Sequence, residues 1–461
     1  MTKLARAEIL FCLLIALSVG SLGAIAEPQD KPIDQAAGPE AAKDKDSSDP
    51  DKENMGANAG ATAEEPEKDE ERTGANAAIN TETEDPKPAA ASSAKPANEL
   101  SIATWGGAYA ESQKIAYFDP FTKETGVKIM QATHGGGLDM LRARLKSEET
   151  PWDVIDLSLQ TVDQACELGL LEQIDHDGLK DAPDGTSAKI DFLPDGLRKC
   201  GVASVAWAVA IVYDKRKFTK SKPKSARDLF NLKRFPGNRS MRRGPKLNLE
   251  LALLADGVPP SEVYNELETE DGVDRALKTL EKLRDNIVWW DRGDEPLQNI
   301  IEGKATMATA YNGRIFSTIA GKQQPLGIIW DGQIYDIDLW AIPKNARNKE
   351  RALEFVSFAT QTDRLAHQTK WFPYGPMRKS AVQQIGEHAE AGLKMAPYIP
   401  TVPENFENAL RVNEAWWAKH RERIKAKFDI WLAGPQLEES DASAAGAERD
   451  SAEKASEDTK R

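Results

Sequence analysis

The regular alternation of apolar strands and patterned helices over residues 99–158 constrains the fold more than any other feature of this chain. Short apolar runs alternate there with segments of helical period, the pattern of a parallel α/β sheet. The predicted strands cover 99–105, 127–132 and 152–158, and the predicted helices cover 109–125 and 138–146. Because open α/β sheets bind ligands at the carboxyl ends of their strands, we expect a site near Trp105 and Ser158.

The predicted folded region, residues 99–434, is larger than one hydrophobic core usually supports, which favours two lobes. The apolar run Gly201–Tyr213 and a second extended segment, Ile334–Pro343, are long enough to pass between the lobes. The predicted boundaries are 99–207 plus 338–380 for the first lobe and 208–337 plus 381–434 for the second. Two such crossings predict a hinged ligand cleft.

The first 26 residues have the pattern of an export signal. Lys3 and Arg6 precede the apolar run Ile9–Val19, and the small-residue pattern Ala24-Ile25-Ala26 offers a cleavage site after Ala26. The apolar run is too short to span a bilayer stably. We therefore expect an exported, periplasmic protein.

The acidity of the chain belongs to two segments outside the predicted core. Residues 27–98 hold 18 acidic and 8 basic side chains and no aromatic residue, and residues 435–461 hold 8 and 4. Such composition predicts a disordered acidic linker and a disordered tail. The chain carries a net charge of −14, so the region between them is close to neutral, and the composition gives no sign of a nucleic-acid partner.

Two cysteines, Cys166 and Cys200, remain after removal of the signal. An even pair in an exported protein suggests a disulfide, with two buried thiols as the alternative. The five histidines are far apart in sequence, so no metal site and no cofactor is predicted.

A group of acidic and aromatic residues precedes the helical pattern that begins near Lys349. Asp336 and Asp338 lie two residues apart, on one face of an extended segment, among Tyr335 and Trp340. Carboxylates beside aromatic faces suit a desolvated cation.

These residues, together with several motifs, resemble the extracellular solute-binding proteins of bacterial ATP-driven (ABC) importers, and within them the spermidine and putrescine branch. The motifs are TWGGAY (104–109), FTKETGVKI (121–129), WDVIDLS (152–158), ELGLLEQID (167–175), YNGR (311–314) and DIDLWAIPKNARNKERALEF (336–355). The resemblance implies a two-lobe α/β fold of the type II periplasmic-binding-protein kind, which closes over its ligand. It also implies a monomer that captures a small amine-containing solute and delivers it to permease subunits in the inner membrane.

The resemblance also implies ligand-binding positions. It assigns aromatic contacts to Trp105, Tyr109 and Tyr311, a polar contact to Ser158 and the amine-binding carboxylate to Asp338. Two candidates depart from the polyamine branch, because Asp336 replaces a usual tryptophan and Gln160 a usual aromatic residue.

A group of basic residues in the predicted second lobe leaves the identity of the ligand undecided. Arg242, Arg243 and Lys246 occupy a region where polyamine binders carry further acids. The alternative is therefore a protein that binds an anion or a metal chelate through these bases. A secreted α/β enzyme is a third hypothesis. The absence of Gly-x-Ser-x-Gly, His-Glu-x-x-His and Cys-x-x-Cys motifs argues against it. We expect no enzymatic activity.

Overall fold

The computed structural model describes residues 98–434 apart from Glu148 and Thr150. The predicted signal peptide, the acidic linker up to residue 97 and the tail lie outside these residues. None of the helices in the described part of the chain combines the length and the apolar character that crossing a membrane requires.

The described strands form one mixed sheet of eleven strands. They are β1 (Glu99–Thr104), β2 (Lys128–Thr133), β3 (Val154–Ser158), β4 (Leu197–Arg198), β5 (Gly201–Asp214), β6 (Arg239–Arg242), β7 (Ile287–Trp290), β8 (Met307–Tyr311), β9 (Leu326–Ala341), β10 (Gly375–Pro376) and β11 (Leu410–Arg411). The order across the sheet is β2-β1-β3-β9-β5-β8-β6-β7, with β4 and β10 paired to β5 and β11 paired to β9.

The long strands β5 and β9 run antiparallel through the centre of this sheet and connect two parallel groups. Strands β2, β1 and β3 are parallel on one side, and β8, β6 and β7 are parallel on the other. Both crossing strands were predicted, but the predicted start of the second at Ile334 was wrong, because β9 begins at Leu326. Residues 330–333 have no ladder partner between the Val209–Ile334 and Ile211–Ile329 pairs. The polar Asp331-Gly332 step in this stretch interrupts the apolar pattern from which the strand could have been predicted.

Helices cover both parallel groups. They are α1 (Gly107–Gln113), α2 (Asp119–Thr125), α3 (Leu138–Lys146), α4 (Leu159–Glu167), α5 (Ala188–Asp191), α6 (Ala226–Leu229), α7 (Asn248–Asp256), α8 (Val263–Glu268), α9 (Glu270–Glu281), α10 (Glu295–Ile301), α11 (Asn312–Ala320), α12 (Lys349–Ala359), α13 (Thr362–Gln368), α14 (Lys379–Val382), α15 (Pro403–Phe406) and α16 (Glu414–Ala433). A π-helical turn, Lys114–Phe118, joins α1 to α2, so that the predicted helix 109–125 is one continuous element.

Two hydrophobic clusters hold the sheet and helices together. The larger contains Trp340 and Phe355, where the indole meets the phenyl ring edge-on at 5.4 Å between centroids. The smaller packs α7, α9 and α16 around buried residues such as Trp417. A disulfide joins Cys166, at the end of α4, to Cys200, just before β5, with 5.7 Å between the Cα atoms. The predicted lobe boundaries stay predictions.

Candidate functional site

A cavity of about 640 Å³ lies where the carboxyl ends of the parallel strands meet the central pair β5–β9. Its volume is typical of small-molecule sites. Every residue that the sequence analysis assigned to ligand binding lines this cavity: Trp105, Tyr109, Ser158, Gln160, Tyr311, Asp336 and Asp338. The fold therefore gathers in one place side chains that are up to 233 positions apart in the sequence.

Aromatic rings form one end of the cavity. The ring of Tyr109 lies 5.2 Å from that of Tyr374, and Phe372 meets Tyr374 edge-on at 4.6 Å. Trp207 packs against the same group of rings and lies 5.8 Å from Tyr311. These ring faces present negative electrostatic potential to anything that they enclose, which favours a cation.

Asn312 positions several of these rings. This buried residue follows Tyr311 at the start of α11, accepts a hydrogen bond from the Ala208 amide (3.0 Å) and donates one to the Pro373 carbonyl (2.7 Å). Its two bonds join the segments that carry Trp207, Tyr311 and Tyr374. The buried Asn312 side chain thus holds the backbone segments that carry these rings in fixed positions.

Gly136 allows Trp105 to occupy its position beside His134, where the two ring centroids are 4.8 Å apart. Gly136 has φ +78°, and a Cβ atom there would lie 2.4 Å from the indole ring of Trp105. The next residue, Gly137, also has a positive φ, but a Cβ atom there would meet nothing within 4 Å. Only the first glycine makes room for the tryptophan.

Two buried carboxylates meet at the aromatic end. Ser158 of β3 is paired with Asp338 of β9, and Asp156 lies two residues before Ser158 on the same face. The Asp156 carboxylate accepts hydrogen bonds from the Tyr109 hydroxyl (2.8 Å) and the Gln113 amide (2.7 Å). These two donors support negative charge at Asp156, although burial raises its pKa to about 7, and the Ser204 hydroxyl nearby donates to the Asp338 carbonyl (3.0 Å).

Asp338 is 4% exposed and forms no ion pair with a described residue. Burial raises its pKa well above the usual range of a carboxyl group, and the neighbouring carboxylates of Asp156 and Asp336 raise this pKa further. A charge that lacks a counter-ion in a desolvated place is costly. A cation beside Asp338 would therefore lower this cost.

Asp336 lies further along the same face of β9. Burial raises its pKa to about 7, although its own strand supplies a hydrogen bond from the Ile337 amide (2.9 Å). Glu414 of α16 raises this pKa as well, whereas Lys246 and Arg411 lower it. Lys246 is itself ion-paired with Glu414. Its charge is thus already balanced within the protein.

Basic side chains line the same cavity. Arg242 ends β6, lines the cavity and is half-buried, and its guanidinium forms no ion pair with any residue between 98 and 434 that the structure describes. Arg314, in the first turn of α11, also lines the cavity. Of the three bases in the alternative reading, Arg243 is not among the lining residues, and its guanidinium pairs with Asp291 (3.3 Å), which does line the cavity.

The amino terminus of α4 contributes polar groups. Ser158 is its N-cap residue, and the Ser158 hydroxyl shares a hydrogen bond of 3.0 Å with that of Thr161. Gln160 follows in the first turn. A helix amino terminus presents backbone N–H groups to the cavity and favours polar ligand atoms nearby.

Several lining residues were missed by the sequence analysis: Trp207, Phe372, Tyr374, Glu414 and Arg421. Trp207 had a usable signal, since it is the aromatic residue in the middle of an apolar crossing strand. Phe372 and Tyr374 lie in a loop, where no periodicity marks them. Within the described residues, no group of three or more His, Cys, Asp or Glu side chains is arranged to hold a metal ion.

A deep cavity at strand ends, with charged and aromatic walls, defines a protein that binds a small solute. The chain belongs to the family of bacterial extracellular solute-binding proteins, whose profile matches residues 116–401. It is an ABC-type substrate-binding protein and not an enzyme, and its family places it outside the cytoplasm, in the periplasm or the extracellular space.

Three similar proteins illustrate the family. The gamma-aminobutyric acid-binding protein of Pseudomonas aeruginosa is 33% identical over 345 residues, which cover 75% of this chain and 94% of that protein. The spermidine/putrescine-binding periplasmic protein of Salmonella typhimurium is 23% identical over 314 residues, covering 67% and 87%. The solved Atu4243–GABA receptor is 26% identical with a TM-score of 0.58, covering 73% and 98%. The predicted two-lobe fold class is confirmed.

Proposed function

We propose that this protein binds a small ω-amino acid of the γ-aminobutyrate (GABA) type and delivers it, as a monomer, to an inner-membrane importer. The ammonium group lies among the aromatic rings against Asp338, and the carboxylate lies toward Arg242. The observation that carries the proposal is that one cavity is lined both by buried acids without an ion pair and by Arg242, whose guanidinium has no ion pair among the described residues.

The ammonium end is supported by two effects that act together. The rings of Trp207, Tyr311 and Tyr374 attract a cation. Asp338 gains a counter-ion that the described residues do not provide, whereas its neighbour Asp156 already accepts hydrogen bonds from Tyr109 and Gln113. Each effect increases as closure of the lobes removes water.

The carboxylate end is supported by the contrast between Arg242 and Lys246. Lys246 is paired with Glu414, so its charge is compensated before any ligand arrives. Arg242 has no such partner among the described residues, and a guanidinium can hold a carboxylate through two parallel hydrogen bonds. A relative that is 33% identical bears the name of a GABA-binding protein, which agrees with this assignment.

Putrescine or spermidine, the ligand suggested by the sequence, is the second candidate. It is favoured by the line of three buried carboxylates at Asp156, Asp336 and Asp338 and by the name of the Salmonella relative. A diamine, however, would leave Arg242 without a counter-ion and would bring a second positive charge toward it. We therefore place the ω-amino acid first.

Ligands of equal length but different end groups test the proposal. We would titrate the purified protein calorimetrically with GABA, putrescine, butylamine, butyrate and succinate. The proposal predicts that GABA binds most tightly, that butylamine is weaker by about 2 kcal/mol for the lost arginine–carboxylate contact, and that succinate does not bind. Tighter binding of putrescine than of GABA would establish the polyamine reading instead. Preferred binding of succinate would establish the anion reading.

A further inference from the structure

The second parallel group carries a strongly basic surface that the ligand cavity does not use. Residues 215–234 contain nine lysine or arginine residues and one acidic residue, Asp228, a net charge of +8 in twenty positions. None of these residues lines the cavity. We call this segment, together with Lys282, the basic surface.

Contacts within the segment bring its charges together on one face. Arg234 donates a hydrogen bond to the Ser221 hydroxyl (2.9 Å), and Phe218 packs edge-on against Phe235 at 5.4 Å. The loop that carries Lys220, Lys222 and Lys224 is therefore held against the segment that carries Lys233. Beside it, Arg227, Lys233 and Lys282 surround a shallow depression that also contains Phe230.

Five lysines of the basic surface have no ion pair with the acidic residues that the structure describes. Lys220, Lys222, Lys224, Lys233 and Lys282 are exposed, and none forms an ion pair with an acidic residue in the described part of the chain. The Asp228 carboxylate is occupied by the backbone amides of Lys224 (2.8 Å) and Ser225 (3.2 Å) in a helix cap. Mutual repulsion among these cations is thus uncompensated by the folded region.

The same chain supplies a segment of matching opposite charge. Residues 27–97 carry 18 acidic and 8 basic side chains, a net charge of −10. The densest part is residues 64–71, with six acids and one lysine. Asn98, where the described structure begins, lies 27 residues after Glu71, a distance that an extended chain can span over about 90 Å. A domain of this size has a radius of gyration of about 20 Å, so the acidic segment can reach the basic surface from any starting point.

We propose that the acidic segment, residues 27–97, docks on the basic surface of its own chain. Residues 64–71 face Lys220, Lys222, Lys224 and Lys233, and attachment to the folded region raises their local concentration to about the millimolar range. Because the basic surface lies outside the cavity, docking leaves the ligand site open. The basic surface is thereby covered within the chain and withheld from other polyanions.

Zero-length cross-linking of the full-length chain tests the docking. A carbodiimide joins carboxylates only to amines that they touch, and mass spectrometry identifies the pairs. At low salt we expect residues 64–71 to cross-link to the lysines of the basic surface about tenfold more often than to Lys123, Lys180, Lys199 and Lys370, which are also exposed. The preference should disappear in about 0.5 M NaCl, where charges are screened within about 5 Å. Even distribution over all exposed lysines would overturn the proposal.

Mixing chains with light and heavy isotopes distinguishes docking within a chain from docking between chains. Cross-links between light and heavy peptides in place of those within one chain would contradict docking in cis. Small-angle scattering provides a second readout that needs no reactive lysine. The variant in which Lys220, Lys222, Lys224 and Lys233 are changed to Glu should have a larger radius of gyration than the wild type at low salt. The matched variant with Lys123, Lys180, Lys199 and Lys370 changed to Glu should not.

A second variant tests the docking without changing the basic surface, so that misfolding of this surface cannot explain its result. Changing Glu64, Glu65, Glu67, Glu70 and Glu71 to Gln alters no residue of the described fold. It should expand the low-salt chain to the dimensions that the wild type has at high salt. An unchanged radius in this variant would count against the docking even if the lysine variant were to expand.

Discussion

In the proposed binding mode, the acidic end at Asp338 and the basic end at Arg242 carry opposite charges, and they differ in how much of that charge the protein balances. At the first end, three carboxylates are buried without an ion pair to any described residue, and burial raises the pKa of each. At the second end, Arg242 stays unpaired among the described residues, whereas Lys246, which acts on Asp336, is balanced by Glu414. From this difference we expect ligand recognition to rest on the charges that the described residues leave uncompensated, and single substitutions can remove these charges one at a time.

The largest expected effect is at the acidic end. Asp338→Asn removes the counter-ion of the ligand ammonium while keeping the shape of the side chain. We expect GABA affinity to fall by about 3 kcal/mol, more than a hundredfold, as measured by calorimetry. Asp336→Asn should cost less, because Lys246 and Arg411 already act on Asp336. Equal losses in both variants would show that the ammonium does not single out Asp338.

Next in size is the basic end. Arg242→Ala should weaken GABA binding by about 2 kcal/mol, or roughly thirtyfold, and leave butylamine binding unchanged, because only GABA has a carboxylate to lose. Arg243→Ala is the matched control, since this adjacent arginine does not line the cavity and is already paired with Asp291. A loss with Arg243→Ala and none with Arg242→Ala would reverse our assignment of the basic end.

The buried acids also predict a pH dependence. Because the folded-state pKa of Asp338 is raised, its proton stabilises the fold below about pH 4, and this contribution is lost as the pH rises through the folded-state value. Asp338→Asn should therefore be more stable than the wild type at pH 8 and equally stable at pH 4, as judged by thermal unfolding without ligand. A stability difference that is constant between these pH values would contradict a raised pKa.

Affinity should change in the opposite direction. An ammonium ligand requires ionised Asp338, so GABA should bind more tightly as the pH rises from about 5 to 8, with release of a proton at the lower pH. Calorimetry in two buffers with different ionisation enthalpies would measure that proton. Asp338→Asn should flatten the profile.

The smallest predicted effect concerns the aromatic end. Gly136→Ala places a Cβ atom against the Trp105 ring and should displace it, which weakens GABA binding by about 1 kcal/mol. Gly137→Ala introduces comparable backbone strain with no atom within 4 Å, so it serves as the control. If both variants bind GABA equally, the position of Trp105 is unimportant for the ligand.

Local patterns in the sequence predicted the strands and helices of the first parallel group well. The helix Leu138–Lys146 has the predicted bounds, because its apolar spacing and its glycine-rich start are both local signals. The early part of β9 was missed, since residues 330–333 leave the ladder and interrupt the alternation of apolar residues. Pairing with β5 keeps this strand together, and that interaction is long-range.

The candidate site was only partly predictable for the same reason. Asp336 and Asp338 follow from strand periodicity, and the family resemblance pointed to Trp105 and Tyr311. The pairing of β3 with β9, which brings Asp156 beside Asp338, is tertiary information. Likewise, adjacent arginines in the sequence do not reveal that Arg242 lines the cavity while Arg243 turns to Asp291.

A crystal structure of the complex with GABA would test the central claim most directly. Our account predicts the ligand nitrogen within hydrogen-bond distance of the Asp338 carboxylate, enclosed by Trp207 and Tyr374, and the ligand carboxylate on the Arg242 guanidinium. A ligand bound in the reverse orientation, or with its carboxylate away from Arg242, would contradict the account.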